Sequence, residues 1–392
     1  MGDRDRTPYF AGRERQLKHF QAGLQEACDK PRDAAIFRLY QGAPGAGKSA
    51  LAKHIEAQNA GRALFVRVSP QKCTDIDTIR DLARTAAEDT DGLLARLGRH
   101  VVRGSAEAMR ITRVGDEVAT ALSSGRHSRI PVILHIDEAQ GLAGRNGPAL
   151  VDLHTIGLEV APCLVLLTGL THSEHNVRAT APGMSRLSAD ACVQMEPMPA
   201  AEAMASTTLM LDDLRTHGSA AGRTAALEVV TRAAQGWPQH LHFAQHYLCE
   251  ELCRTDGDLD AVALAQVADA TTESREDYYR KRLEDHPLAL DSLLVARIVA
   301  DVEARSEGPG SMARVELYRV VDEHWSRHAD EAALRRMSTV EAYADALTEK
   351  GVLTPLPNNG GFATPIPSMS TWLREQLGAA TAPREGLSAP EP

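Results

Sequence analysis

The sequence predicts an α/β fold: a three-layer, mostly parallel sheet in the first half of the chain, followed by helices. Three observations carry this. Five short apolar runs recur, over residues 35–40, 63–68, 131–136, 163–170 and 191–195, continuous rather than alternating, as strands buried on both faces are. Helical periodicities separate them: Leu17, Phe20 and Leu24 before the first, and Ile76, Ile79, Leu82, Ala83 and Ala86 after the second. A glycine loop joins the first run to a helix.

That loop is Gly42-Ala43-Pro44-Gly45-Ala46-Gly47-Lys48-Ser49, with Ala50 opening the helix that follows. It reads G-x-x-x-x-G-K-[ST], the phosphate-binding loop called Walker A. Glycine lets the backbone approach a polyphosphate because no Cβ stands in the way. The loop N–H groups and the helix N-terminus then face negative charge. Lys48 is placed to reach the β- and γ-phosphates, and the Ser49 hydroxyl to ligate Mg²⁺. Strand, loop and helix together make this a nucleotide site, with ATP and Mg²⁺ as expected cofactors.

The third run, Pro131 to Ile136, ends in Asp137-Glu138. An acid at the carboxyl end of a buried strand suits a Walker B aspartate, so Asp137 is expected in the Mg²⁺ shell. Glu138 is then the expected general base for water. The predicted enzyme is an ATPase, converting ATP and water to ADP and phosphate.

Length and composition bound the rest. With 392 residues the chain has room for two or three domains. Hydrophobic residues are 43 % and charged residues 24 %, as in soluble globular proteins. Aromatics are only 4 %, so the cores must rest on Ala, Leu and Val. A net charge of −10 argues against a whole-protein electrostatic grip on nucleic acid, leaving room for a local patch. The most basic stretch, Arg96, Arg99, Arg103, Arg110 and Arg113, reads either as a solvated helical face or as a contact for DNA or a partner subunit. The polar start is unlike a signal peptide, and no apolar run reaches the length of a membrane span. Six scattered cysteines with no C-x-x-C pair lead to the expectation of a reduced, cytoplasmic protein.

The entry segment Tyr9-Phe10-Ala11-Gly12-Arg13-Glu14, then a helix, then Walker A, resembles the start of AAA+ ATPases of the origin-recognition/initiator clade. The related signal-transduction (STAND) ATPases open similarly. The resemblance implies that Tyr9, Phe10 and Gly12 flank the adenine. It implies that Thr168, near the end of the fourth run, is a polar sensor. It implies that Arg186, just before the fifth run, is an arginine finger reaching a neighbouring subunit's γ-phosphate, with Arg178 as the rival. Helices over about 200–216, 222–235 and 238–253 then resemble the AAA+ lid. Its last helix opens Gly236-Trp237-Pro238-Gln239, where the clade carries Gly-x-Pro-Arg; Gln239 thus stands where a second sensor would be.

That helix also carries His242, His246, Cys249 and Cys253 on one face. Four ligands strung along one straight helix span about 16 Å and cannot surround one ion, so a buried face is expected there rather than zinc. Residues 254–286 read as a polar connector with a helix near Leu259 to Ala270 and the charged patch Tyr278-Tyr279-Arg280-Lys281-Arg282. Helical patterns near 288–299, 314–322 and 340–350, then a hairpin around Asn358-Asn359-Gly360-Gly361 and a helix over 368–377, resemble a winged helix.

The expected domains are a P-loop AAA+ ATPase domain over 1–197, a lid and connector over 198–286, a winged-helix-like domain over 287–378 and a disordered tail over 379–392. The resemblance implies a homo-oligomer coupling nucleotide state to protein or DNA partners, as loaders and transposition regulators do. The alternative is a STAND-type switch in signalling or defence, with slow turnover and no DNA binding. The acidic character of residues 340–350 and the uncharged wing argue against DNA contact by the last domain.

Overall fold

The computed structural model describes residues 9–29, 34–89, 106–180, 183–184, 187–284, 340–355 and 362–381, with a few isolated positions between 295 and 323. The five apolar runs are strands β1 (Ile36–Gln41), β2 (Leu64–Val68), β3 (Val132–Ile136), β4 (Cys163–Gly169) and β5 (Cys192–Gln194). They form one parallel sheet in the order β2-β3-β4-β1-β5.

This order decides where the chemistry sits. Strand β4 lies between β1 and β3, with Gln41 opposite Gly169 and Ile136 opposite Leu167. The carboxyl ends of these three strands therefore bring together the glycine loop, Asp137-Glu138 and Thr168. In an open parallel sheet, ligands bind at that edge.

Alternate strand residues serve opposite faces. Tyr40, Phe65, Ile133, Leu164, Leu166 and Val193 point into one cluster, with Phe20 of helix Glu14–Asp29 and Leu51 and Ile55 of helix Lys48–Asn59. Leu39, Leu64, Val66, Leu134, Val165 and Leu167 point into the other, against helices Ile76–Glu88, Ala106–Ser124 and Gly147–Ile156. Helices on both faces make the predicted three-layer P-loop NTPase fold.

Four helices follow: Ala200–Asp213, Ala220–Ala234, Pro238–Arg254 and Leu264–Glu284. Leu211, Val230, Ala244, Leu248 and Val267 give them a core of their own. Here the structure extends the helix that the sequence suggests near Leu259 to Ala270: it starts later and runs on to the end of the connector as Leu264–Glu284, 21 residues long. At its charged end Tyr279, Arg282 and Leu283 are buried, because the helix delivers them under the glycine loop and the C-terminal segment.

The C-terminal region contributes helix Val340–Glu349, a short antiparallel pair of β6 (Thr354–Pro355) and β7 (Phe362–Ala363), and helix Pro367–Thr381. The hairpin is where the sequence places it; its turn and most of the expected helices near 288–299 and 314–322 lie outside the described residues. Leu347, Leu353, Ile366 and Trp372 join the same apolar cluster as Tyr40, Leu51 and Tyr279. The region thus packs on the ATPase domain rather than hanging from it. Among the described residues, no helix is long and apolar enough to cross a membrane.

Candidate nucleotide site

The glycine loop takes the shape its sequence calls for. Gly45 and Gly47 have φ of 83° and 89°, in the left-handed region that favours glycine. Gly47 is also the N-cap of helix Lys48–Asn59, so the first N–H groups of that helix lie free at the loop. The Lys48 ammonium donates to the carbonyls of Gly42 at 2.7 Å and Ala43 at 3.1 Å. An ammonium carries three donors, so one remains for a phosphate oxygen. Burial pulls Lys48 down to about 8, against the opposing pull of Glu138 and Asp137.

Asp137 is half-buried and Glu138 is exposed at the end of β3. Asp137 Oδ1 accepts the Thr168 hydroxyl at 2.6 Å and the Glu138 N–H at 3.0 Å. Glu138 has a φ of 54°, a conformation that non-glycine residues adopt only where the surroundings impose it. It turns the carboxylate out of the strand and onto the Gln140 amide. Gln140 Oε1 accepts the Leu170 N–H at 3.0 Å, which ties Glu138 to the end of β4.

Behind Asp137, Thr168 also meets His135 Nε2 at 2.8 Å. Thr168 has one proton, and a carboxylate can only accept. The proton goes to Asp137, so His135 must be the Nε2–H tautomer, donating to Thr168. Burial pulls His135 down to about 4 and keeps it neutral. Thr168 is fully buried, and its one donor faces Asp137.

The entry segment closes another side. Phe10 stacks on His54 with ring centroids 4.1 Å apart. The Tyr9 hydroxyl donates to Asp213 at 2.6 Å, and its carbonyl accepts Ser206 at 2.6 Å. Gly12, at a φ of 75°, lets the chain pass so close to Glu202 that a Cβ would sit 2.0 Å from Oε2. Arg13 follows, 5 % exposed. Its guanidinium donates to the carbonyls of Glu196 at 2.7 Å and Ala46 at 3.0 Å, and its N–H to Glu202 at 3.3 Å. One residue, through its side chain and its backbone N–H, so joins the glycine loop, the exit of the sheet and the lid.

The lid presses directly on the loop. The Gln239 N–H donates to the Gly45 carbonyl at 3.2 Å. A Cβ on Gly45 would lie 2.8 Å from Trp237 Nε1 and 2.9 Å from Gln239 Cβ. A cleft of about 1520 Å³ runs between these parts, lined by Tyr9, Phe10, Gly45, Gly47, Lys48, Ser49, Ala50, Asp137, Glu138 and Gln239 among others. Gly42, Ala43 and Ala46 stand behind it as buried loop backbone.

The lid face expected to be buried proves otherwise. His242, His246, Cys249 and Cys253 line the cleft wall, together with the edges of Leu241 and Leu252, while Ala244 and Leu248 face the lid core and His240 meets the Tyr279 hydroxyl at 3.1 Å. Among the described residues no group of these types could hold a metal ion. Arg178 is engaged with Glu174 at 3.0 Å. Arg186 lies outside the described residues, as do Arg96, Arg99 and Arg103 of the basic stretch.

Sequence reasoning passed over Arg13, His135, Gln140 and Arg282. A signal existed for two of them. Arg13 sits in the Gly-Arg-Glu entry itself, and His135 is a polar intruder in an apolar strand. Gln140 and Arg282 reach the site only through a turn and a helix end that sequence patterns do not place.

Residues 37–176 match the family model described as an AAA domain. No curated protein matches the sequence. Among solved structures, the chain is similar to a Walker-type ATPase of Pyrococcus abyssi, with 13 % identity over 93 % of this chain and 96 % of that one, at a TM-score of 0.54. It is also similar to the ORC2 protein of Aeropyrum pernix, with 14 % identity over 97 % and 99 % and a TM-score of 0.49. A third is Cdc6p of Pyrobaculum aerophilum, with 14 % identity over 94 % and 95 % and a TM-score of 0.44. Residues 37–176 thus carry an AAA domain, on the fold shared with that Walker-type ATPase.

Proposed function

We propose that this chain binds ATP with Mg²⁺ in the cleft, hydrolyses the γ-phosphate bond, and uses nucleotide state to control contacts made by its lid and C-terminal region. The observation that carries this is the meeting of Lys48, Ser49, Asp137 and Glu138 at one cleft, beside a loop whose glycine backbone admits close approach. The fit to a polyphosphate is physical. Gly45 and Gly47 have left-handed backbone at the bend, the N–H groups of a helix start are free, and a cation has a donor to spare.

In this reading Lys48 binds the β/γ-phosphates, and Ser49 and Asp137 hold Mg²⁺. When bound, the metal neutralises phosphate charge. Thr168 and His135 fix Asp137 in its ligating orientation, as partners behind a ligand do elsewhere. Glu138 accepts a proton from water. Tyr9, Phe10 and Gly12 flank the base, and Gln239 offers an uncharged donor to the phosphates. Arg186 acts in trans in a homo-oligomer, so that mixing Arg186→Ala with Lys48→Ala subunits restores turnover. The entry motif and the AAA domain favour the origin-recognition/initiator type.

A second reading is favoured by one observation. Gly351 of the C-terminal region packs on Ala43 and Pro44 of the loop, as expected of a slow STAND-type switch that signals through protein contacts. The partner in either case is a protein; in the first reading DNA contact, where made, comes from the ATPase domain's segment between Arg96 and Arg113, and in the second there is none. Steady-state turnover and particle size, measured with ADP and with a non-hydrolysable ATP analogue, each with and without duplex DNA, test both. Turnover stimulated by DNA or by assembly supports the first; slow turnover with a nucleotide-dependent change in size supports the second. No binding of either nucleotide would end both.

A further inference from the structure

Arg282 lies at the end of helix Leu264–Glu284 and is 8 % exposed. A buried guanidinium is costly unless a negative group answers it. Among the described residues no carboxylate does. Its contacts are the Pro44 carbonyl at 3.3 Å and the face of the Tyr278 ring, 4.9 Å from the ring centroid. Its Nη1 is buried with no hydrogen-bond partner. The charges that act on it most are the neighbouring tyrosines, and burial is the largest influence on it.

The position is specific. Arg282 lines the same cleft as Gly45, Lys48 and Asp137, close enough that its charge adds to the forces lowering Lys48. It touches the tip of the glycine loop, Pro44, where Tyr278 also donates at 3.4 Å. A buried cation with an idle donor, facing a phosphate-binding loop, fits a phosphate oxygen better than any other group in reach.

We propose that Arg282 is a ligand of the terminal phosphate of the bound nucleoside triphosphate, delivered in cis from the helix that leads into the C-terminal region. The proposal rests on the ATP-site reading above. It makes Arg282 the residue by which the chain distinguishes ATP from ADP. It also links that distinction to the C-terminal segment, because the place of a Cβ on Gly351 lies 3.5 Å from the Arg282 Nη2 atom.

The test is equilibrium binding of ATP and ADP to the full-length protein, with melting temperature as a second readout. Arg282→Met is expected to weaken ATP binding at least about tenfold, the worth of one charge-assisted hydrogen bond, and to weaken ADP binding by less than about threefold. Arg282→Lys, which keeps the charge and loses the fork, should fall between. Without nucleotide, Arg282→Met should melt no lower than the wild type, since it removes an unpaired buried charge. A purely structural arginine would lower it. Should the methionine variant fail to fold, Arg282→Lys and Arg282→Gln carry the same comparison of ATP with ADP. An unchanged ratio of ATP to ADP affinity in these variants, with Lys48→Ala abolishing both, overturns this proposal and leaves the ATP site standing. Binding unaltered in Lys48→Ala would overturn the site itself.

Discussion

The Thr168 hydroxyl reaches Asp137 at 2.6 Å while His135 Nε2 reaches the same hydroxyl at 2.8 Å. The pairing follows from register, since β3 and β4 run side by side with Ile136 opposite Leu167. Three polar groups from two apolar strands therefore satisfy one another at the edge where phosphate chemistry is expected.

Thr168→Val tests the chain. Valine keeps the shape and removes the hydroxyl, leaving the His135 donor without its partner and Asp137 Oδ1 with the Glu138 N–H but not the hydroxyl. The cost should be about 1–3 kcal/mol of stability. ATP hydrolysis should drop with ATP affinity nearly unchanged, and Thr168→Ser should recover both. Thermal unfolding and single-turnover kinetics read the two effects separately. A full rate in Thr168→Val would remove Thr168 from the site.

For the primary residues the expected results differ in kind. Lys48→Ala should abolish tight ATP binding, because the phosphates lose their main side-chain cation. Glu138→Gln should keep binding and lose hydrolysis. Titration of labelled ATP with phosphate release on the same samples separates them. Wild-type turnover in Glu138→Gln would show that another group takes the proton.

The sequence shows the sheet because continuous apolar runs and a glycine loop are local signals. Each strand boundary is met to within a residue or so: residues 35–40 become Ile36–Gln41 and residues 163–170 become Cys163–Gly169. What it hides is anything decided by a helix end. The patch at 278–282 reads as part of a polar connector because three of its five residues are basic, yet Tyr279 and Arg282 are buried where the lid, the loop and the C-terminal region meet. The His/Cys face misleads in the opposite sense. Its spacing shows that the four share a side, and only tertiary packing shows that this side is the wall of a cleft.

Arg13 should matter as much to stability as to binding. It is buried and donates to backbone carbonyls of the loop and of the sheet's exit. Arg13→Met keeps much of the apolar stem, removes both bonds and leaves two carbonyls unanswered. A loss of about 2–4 kcal/mol is expected, with weaker ATP binding, since Ala46 belongs to the loop. Denaturant unfolding checks the first and calorimetric titration the second. A variant as stable as the wild type would leave the Arg13 clamp without energetic weight.

Nucleotide affinity should fall in mildly alkaline solution. The Lys48 cation is the form that binds phosphate, and burial brings its pKa down to about 8. As pH rises through that value the free site loses its charge. One unit above it, ATP binding should be about tenfold weaker than on the acid side. Stability of the free protein should run the other way. Its unfolded chain holds the Lys48 proton up to a higher pH, so this group favours folding increasingly as pH climbs from about 8. ATP affinity measured at three pH values across this window decides it; a flat profile would mean that Lys48 stays charged throughout.

Gly351 is the place to test whether the C-terminal region reads the loop. It has a φ of 68°, and a Cβ there would lie 2.8 Å from Pro44 Cδ and 3.1 Å from Ala43 Cβ. Both neighbours are loop atoms with little freedom, so Gly351→Ala must either move the segment or bend the loop. Left-handed backbone alone costs an alanine about 1–2 kcal/mol, and the contact adds to that. The variant should therefore melt lower than the wild type. Because the loop tip is braced by Tyr278, Arg282 and Gly351 together, loosening one brace should weaken ATP binding by about threefold to tenfold through lost preorganisation. Tighter binding would give the opposite meaning: a C-terminal segment that restrains the loop and must be displaced by nucleotide. Unchanged binding at a lowered melting temperature would separate the C-terminal region from the nucleotide site altogether.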